Sequence, residues 1–148
     1  MKVIIASDHA GVKLKEKIIQ YLKRRKIEYR DLGTDSSDSV DYPDYAFRVA
    51  ERIAKDKNLR GILVCGTGTG MTIAANKIQG VRALAAYDPY SAKMSRIDND
   101  SNVLGLRGRF FPFDRVKRII QVCLNTPFSG EERHKRRIKK IADYERKR

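Results

Sequence analysis

Cys65 and the glycine-rich loop after it carry the clearest chemical signal in the sequence. The loop is Gly66-Thr67-Gly68-Thr69-Gly70, and a helical stretch follows it. Glycines let a backbone approach a ligand closely, and free amides at a helix start bind an anion or a developing oxyanion. A thiolate at Cys65 would be favoured beside those amides, where it could act as a base or a nucleophile. The alternative interpretation is a tight turn next to an inert core thiol.

Other polar side chains suit a phosphorylated, hydroxyl-rich ligand. Asp8 and His9 follow an apolar run, and His9 could donate to a phosphate or handle a hydroxyl proton. Arg133 and Arg137 are four residues apart and share a helix face, where a phosphate would offset their repulsion. The alternatives are an exposed loop histidine and a solvated basic face. Further candidates are Arg107, Arg109 and the segment Asp98-Asn99-Asp100-Ser101-Asn102, whereas His134 is predicted to be solvated and Cys123 to lie in the core.

Short apolar runs alternate with amphipathic stretches and must position these groups. The runs predict five strands, at 3–6, 27–32, 61–65, 81–87 and 102–106, with helices between them. This alternation predicts an α/β fold, a single domain over residues 1–148 with a doubly wound, Rossmann-like parallel sheet of strand order 2-1-3-4-5. The first and third strands are the most apolar and are therefore placed at the centre of the sheet.

That strand order predicts where a ligand binds. In an open parallel sheet the site lies beyond the carboxyl ends of the strands, where the strand order reverses. Here that point falls between the first and third strands, so segments 8–11 and 65–70 should meet there. The last helix has a narrow apolar stripe of Ile138, Ile141 and Ala142, so we expect it to pack on a second subunit of a homodimer.

Composition limits the function classes. The chain has 148 residues with 32 Lys or Arg against 18 Asp or Glu, a formal net charge of +14. This charge fits nucleic-acid binding, or a heavily charged surface with a smaller site for a phosphorylated metabolite. No apolar run reaches the length of a membrane span, and two cysteines make no disulfide framework. We therefore expect a cytoplasmic protein with reduced thiols and no membrane association.

Taken together, the candidate groups fit a small polyhydroxylated phosphate. Arginines would hold the phosphate, Asn and Asp the hydroxyls, a thiolate would act as base, and loop amides would stabilise an enediolate. This combination describes a proton-transfer isomerase, for which we expect no metal and no cofactor. Two other classes stay open on these residues: a basic nucleic-acid-binding module and a Cys-dependent hydrolase.

Six motifs spread over the chain resemble type B ribose-5-phosphate isomerases, in a family that also includes galactose-6-phosphate isomerase subunits. They stand in the family's order, and the basic helix with Arg133, His134 and Arg137 follows them. The motifs are Asp8-His9-Ala10-Gly11, Asp41-Tyr42-Pro43-Asp44-Tyr45, Cys65-Gly66-Thr67-Gly68-Thr69-Gly70, Ile73-Ala74-Ala75-Asn76-Lys77, Pro89-Tyr90-Ser91-Ala92 and Asn99-Asp100-Ser101-Asn102-Val103-Leu104.

The resemblance implies interconversion of D-ribose 5-phosphate and D-ribulose 5-phosphate through a cis-enediolate. It implies that Cys65 moves the proton between carbons 1 and 2 and that Thr67 helps to hold the oxyanion. It also implies a substrate site at a dimer interface, in a homodimer or a dimer of dimers, with no specific nucleic-acid partner. The implied substrate contacts are Asp8, His9, Tyr42, Gly66, Gly68, Thr69, Gly70 and Asn99, and the implied phosphate contacts are His9, Arg109, Arg133 and Arg137.

One position departs from the family pattern. Many members carry a histidine, assigned to opening the furanose ring, where this chain has Asp98. Asp98 could take over this acid–base role, His9 could do so, or the ring could open spontaneously. Related members accept allose 6-phosphate, so a hexose 6-phosphate is the alternative substrate. Cys65 argues against the galactose-6-phosphate subunits in which the thiol is lost.

Overall fold

The computed structural model describes residues 2–147 as alternating strands and helices. The apolar runs form strands because both of their faces are covered, and the amphipathic stretches form the covering helices. In chain order the elements are β1 Lys2–Ser7, α1 Val12–Arg24, β2 Tyr29–Asp31, α2 Tyr42–Lys55, β3 Leu59–Cys65, α3 Thr69–Ala75, β4 Ala83–Ala85, α4 Pro89–Asn99, β5 Val103–Arg107, α5 Phe113–Asn125 and α6 Glu132–Glu145.

The five strands form one parallel sheet, and the predicted doubly wound α/β class is confirmed. The strand order is β2-β1-β3-β5-β4, so the predicted 2-1-3-4-5 is wrong for the last two strands. β5 is buried over Val103–Leu106, whereas β4 has three half-buried residues. The strand with more apolar surface to cover takes the interior position beside β3, and β4 becomes the edge. The switch point between β1 and β3 is unaffected.

Helices cover both faces of the sheet and divide the core into two layers. One layer joins α1, α4 and α5 to the sheet through residues such as Ile18, Ala92 and Ile119. The other joins α2 and α3, with Val49 and Met71 fully buried. Each face is therefore covered by an apolar layer. Polar side chains collect at the carboxyl edge of the sheet, where the strands end, and at the amino edge, where the strands begin.

α6 is attached differently from the other helices. Of its described side chains, His134 is the buried one, and Ile141 is half exposed. The first turn of α6 contacts the end of α4, where His134 Nε2 lies 3.5 Å from the Asp98 carboxylate. In its last turn, Glu145 accepts a hydrogen bond from the Gly80 amide at 3.0 Å. The predicted packing of α6 on a second subunit stays a prediction. None of the helices within residues 2–147 is long and apolar enough to cross a bilayer.

Candidate functional site

The ends of β1 and β3 meet at the carboxyl edge of the sheet, as predicted from the strand order. Ser7 pairs with Val64, and the Asp8 amide donates to the Val64 carbonyl at 3.1 Å. Gly11 allows this close approach, because a Cβ there would lie 2.3 Å from the Val64 oxygen. The segments that begin at Asp8 and Cys65 are therefore held side by side by backbone contacts.

Cys65 ends β3 directly beneath the glycine-rich loop. Its side chain is 4% exposed, and the Gly68 amide donates to its sulfur at 3.2 Å. Gly68 makes this possible with a φ of 84°, which glycine adopts without strain. The thiolate is the form of cysteine that acts as base or nucleophile, and the Gly68 amide is a hydrogen-bond donor already directed at this sulfur.

The loop over Cys65 is braced by two tyrosines. The Tyr42 ring packs on Gly70, where a Cβ would lie 2.9 Å from it. The Tyr87 hydroxyl donates to the Thr67 carbonyl at 3.0 Å and lies 3.0 Å from the Thr69 hydroxyl. Tyr42 is among the site residues predicted from the sequence, whereas Tyr87 is not. Its place at the end of the predicted fourth strand, on the same sheet edge, is the signal that could have identified it.

Asp8 and His9 contribute to the same edge in different ways. Asp8 is buried, and its carboxylate accepts the Gly11 amide at 3.0 Å, so it shapes the turn into α1. His9 is half-buried, and its Nδ1 accepts the Val40 amide at 3.2 Å. An accepting Nδ1 leaves Nε2 to carry the proton of the neutral ring. His9 is thus set up to donate through Nε2 to an anion.

Arg109 adds positive charge beside the loop. Its amide donates to the Gly66 carbonyl at 3.2 Å, and a Cβ on Gly66 would lie 3.6 Å from the guanidinium Nη1. Arg107 ends β5 opposite Cys65 in the sheet register. We call the residues gathered at this edge the carboxyl-edge cluster: Asp8, His9, Tyr42, Cys65, Gly66, Thr67, Gly68, Thr69, Gly70 and Arg109.

Four other predicted site residues lie at the opposite edge of the sheet. α4 ends at Asn99, just before β5 begins beside Gly61, whereas Cys65 pairs with the last residue of β5. The first and last residues of β5 are four positions apart, which corresponds to about 13 Å along an extended strand. α6 lies with the end of α4, because His134 Nε2 is 3.5 Å from the Asp98 carboxylate. We call Asp98, Asn99, Arg133 and Arg137 the amino-edge cluster; within one chain, they do not reach Cys65.

The environment of His134 corrects one prediction. It was expected to be solvated, but it is 3% exposed and hydrogen-bonded through Nδ1 to the Ser129 hydroxyl at 2.7 Å. The segment before α6 folds back onto the end of α4, with the Ser129 amide donating to the Ile97 carbonyl at 3.2 Å, and this covers the ring. Asp98, with its side chain 38% exposed, thus has a buried imidazole behind it.

The second thiol fits its predicted core position. Cys123 is buried in the layer under α5, and burial raises the pKa of its thiol to about 11. It therefore stays protonated and unreactive near neutral pH. Within residues 2–147, no three His, Cys, Asp or Glu side chains are grouped so that they could hold a metal ion.

A thiol and an amide-lined loop at the switch point of a doubly wound sheet define an α/β enzyme for a small anionic ligand. Comparison with known proteins gives the family. Residues 3–141 match the family model described as ribose/galactose isomerase. The chain belongs to the ribose/galactose isomerase family, and the resemblance predicted from the motifs is confirmed.

Relatives cover the chain from end to end. It is 49% identical over 148 residues to the putative sugar phosphate isomerase YwlF of Bacillus subtilis, covering 99% of both chains. It is 42% identical to ribose-5-phosphate isomerase B of Escherichia coli, covering 99% of this chain and 98% of that one. The Mycoplasma genitalium ribose-5-phosphate isomerase B, solved with bound ribulose-5-phosphate, superposes with a TM-score of 0.94 at 40% identity, covering 99% and 97%. The prediction of an isomerase is confirmed.

Proposed function

We propose that this enzyme interconverts D-ribose 5-phosphate and D-ribulose 5-phosphate by moving one proton between carbons 1 and 2. The observation that carries the proposal is the Cys65 thiol, which accepts the Gly68 amide at 3.2 Å at the start of a helix. His9 and Arg109 lie at the same edge and supply donors for a phosphate. Relatives named ribose-5-phosphate isomerase B support this choice of sugar.

Each step can be assigned to groups of this chain. The Cys65 thiolate takes the proton from carbon 2 of the open-chain aldose, and negative charge develops on the carbonyl oxygen at carbon 1. Thr67 and the loop amides from Gly66 to Gly70 stabilise that cis-enediolate oxygen. The thiol then returns the proton to carbon 1, and the hydroxyl proton of oxygen 2 passes to oxygen 1, which gives the ketose. No metal or cofactor takes part in this proposal.

The amino-edge cluster completes the site from a second copy of the chain. Asp98, Asn99, Arg133 and Arg137 lie together but away from Cys65, so one chain holds two incomplete halves. A twofold dimer that brings unlike edges together makes two complete sites. The exposed stripe of α6 at Ile141 is one surface that such a partner would cover. We propose this homodimer as the working unit, with a dimer of dimers as the larger alternative.

In this arrangement Asp98 takes the ring-opening role. Its side chain is partly exposed, and His134 Nε2 lies 3.5 Å from its carboxylate. A carboxylate paired with a buried imidazole can exchange a proton with a ring oxygen.

Cys65 and Cys123 are both free thiols, which supports the predicted reducing, cytoplasmic setting.

Proton NMR in heavy water tests the reaction itself. Purified protein with a chelator and ribose 5-phosphate should produce ribulose 5-phosphate with deuterium at the exchanged carbon. Allose 6-phosphate in a parallel sample tests the hexose alternative. Turnover of allose 6-phosphate alone would replace the pentose substrate. Turnover of neither sugar would refute the isomerase proposal, and a gel shift at physiological salt would then test the nucleic-acid alternative.

Mixing two impaired variants, assayed at low ribose 5-phosphate where each alone is slow, tests the shared site. Cys65→Ala removes a carboxyl-edge group and Arg137→Ala an amino-edge group. If each site uses both edges from different chains, unfolding and refolding the two together should restore about a quarter of wild-type sites, because half of the dimers are mixed and each has one intact site. Refolding each variant alone is the control. No recovery in the mixture would place the whole site within one chain.

A further inference from the structure

A completely buried lysine lies close to the carboxyl-edge cluster and is not used by the reaction. Lys15 is 0% exposed, one turn into α1. Its ammonium donates to Asp31 at 2.6 Å, at the end of β2, and to Asp35 at 2.8 Å. A lysine with no exposed surface is uncommon, because removing an ammonium from water is costly unless partners compensate. Here two carboxylates compensate one cation.

The charge of Lys15 is retained in the fold. Burial by itself would lower the pKa of Lys15, but the hydrogen bonds and charges of Asp31 and Asp35 outweigh it and raise the pKa. The two partners differ in their surroundings. The Asp31 side chain is 27% exposed, whereas that of Asp35 is 91% exposed. An exposed carboxylate that reaches inward to a buried ammonium anchors the segment that carries it.

That segment is the β2–α2 loop, residues 32–41, and it ends at the candidate site. Its middle is held by local hydrogen bonds, such as the Ser36 amide to the Thr34 hydroxyl at 3.1 Å. Besides the Lys15–Asp35 contact, hydrogen bonds at its two ends tie it to other parts of the chain. Near its start the Leu32 amide donates to the Ile5 carbonyl at 2.8 Å and the Thr34 amide to the Ser7 carbonyl at 3.4 Å. Near its end the Val40 amide donates to His9 Nδ1 at 3.2 Å.

We propose that Lys15 is a positioning residue for His9. By holding Asp35, it orders the β2–α2 loop so that the Val40 amide occupies Nδ1 and the proton stays on Nε2, the atom that would donate to a phosphate. Lys15 makes no contact with substrate and acts through Asp35 and Val40. The phosphate role of His9 rests on the proposed function, whereas the tautomer of His9 does not.

The matched variants are Asp35→Ala and Asp38→Ala. Both residues are exposed loop aspartates, and each change removes one negative charge from the same loop. Asp35 pairs with Lys15, whereas the Asp38 carboxylate has no ion pair among the described residues. Asp35→Ala leaves the Lys15–Asp31 contact in place, so the variant should fold, and a circular dichroism melt verifies this.

Nitrogen-15 NMR of the imidazoles gives a readout that a purely structural role would not change. The chain has two histidines, so the His9 and His134 signals can be separated with a single His134→Gln variant. Wild type and Asp38→Ala should show His9 fixed with the proton on Nε2. Asp35→Ala should show His9 nitrogen signals averaged between tautomers. Unchanged His9 signals in Asp35→Ala, or equal changes in both variants, would overturn the proposal.

Steady-state kinetics provides a second readout. With ribose 5-phosphate, Asp35→Ala should raise KM about threefold to tenfold with kcat within twofold, since the group that binds phosphate is disturbed and Cys65 is not. Asp38→Ala should match wild type. A loss confined to kcat would overturn the proposal. If wild type itself turned over no sugar phosphate, the proposed function would fail while the NMR result would still decide the role of Lys15.

Discussion

The carboxyl-edge and amino-edge clusters hold similar polar groups but are fixed in place by different means. At the carboxyl edge, backbone hydrogen bonds join three strand ends, including Gly108 amide to Cys65 carbonyl at 2.8 Å. At the amino edge, α6 is attached to the end of α4 by the His134 side chain, between Ser129 and Asp98, together with one backbone hydrogen bond from the Ser129 amide to the Ile97 carbonyl. Arg133 and Arg137 are exposed on a helix with few apolar contacts.

This difference suits the two clusters to different roles, one in the chemical step and the other in substrate binding. Groups that must meet a reacting carbon within a fraction of an ångström benefit from a rigid backbone frame, as Cys65 has. Groups that attract and hold a charged substrate, the role we propose for Arg133 and Arg137, tolerate exposed side chains. We therefore expect changes at the carboxyl edge to reduce kcat and changes at the amino edge to raise KM.

Removing the thiol at the carboxyl edge should have the largest effect. Cys65→Ala is expected to lower kcat about 10³-fold with KM nearly unchanged, because a general base is lost while phosphate contacts remain. Initial rates with ribose 5-phosphate measure this. Cys123→Ala is the matched control, since Cys123 is a buried thiol outside the site. Near-normal turnover in Cys65→Ala would remove the cysteine from the mechanism.

Removing one arginine at the amino edge should act on binding. Arg137→Ala is expected to raise KM about 10- to 100-fold with a smaller change in kcat, since a charge-assisted hydrogen bond to phosphate contributes about 1.5–3 kcal/mol. Arg136→Ala removes the same charge from the next position on α6 and serves as control. Equal KM values in the two variants would mean that Arg137 acts through net charge and has no specific contact.

A change at Asp98 separates ring opening from proton transfer. Asp98→Asn is expected to slow ribose 5-phosphate conversion about tenfold, less than loss of the base, because the ring also opens without help. Ribulose 5-phosphate is open-chain, so its exchange of a carbon-1 proton with heavy water should keep the wild-type rate. Equal slowing of both measurements would assign Asp98 to proton transfer or to binding and would leave ring opening to His9 or to solvent.

The smallest effect is expected from removing the Tyr87 hydroxyl, which holds the glycine-rich loop through hydrogen bonds. Tyr87→Phe removes the hydroxyl that bonds to Thr67 and Thr69 and keeps the ring. Its loss should lower kcat about threefold to tenfold, since one hydrogen bond of about 1 kcal/mol no longer orients the loop amides. Tyr90→Phe is the control, because Tyr90 is largely exposed on α4. A rise in KM alone would show that Tyr87 contacts substrate.

Much of the carboxyl edge was predictable because its residues are contiguous in sequence. A buried strand, a glycine-rich loop and a helix follow one another, so Cys65 and Gly66–Gly70 are positioned by local structure. The rule for switch points then placed Asp8 and His9 beside them. The order of β4 and β5 was not predictable in this way, because it depends on how much buried surface each strand gains in competition with the other.

The α/β class, the switch point and the family all follow from the amino-acid sequence, since apolar periodicity and contiguous motifs are local properties. The folded chain was needed to show that Asp98 and Asn99 lie apart from Cys65, that His134 is buried and that Lys15 pairs with Asp35. These are contacts between segments far apart in the chain. Their free energy depends on burial and on which partner is within reach, and neither is encoded at a single position.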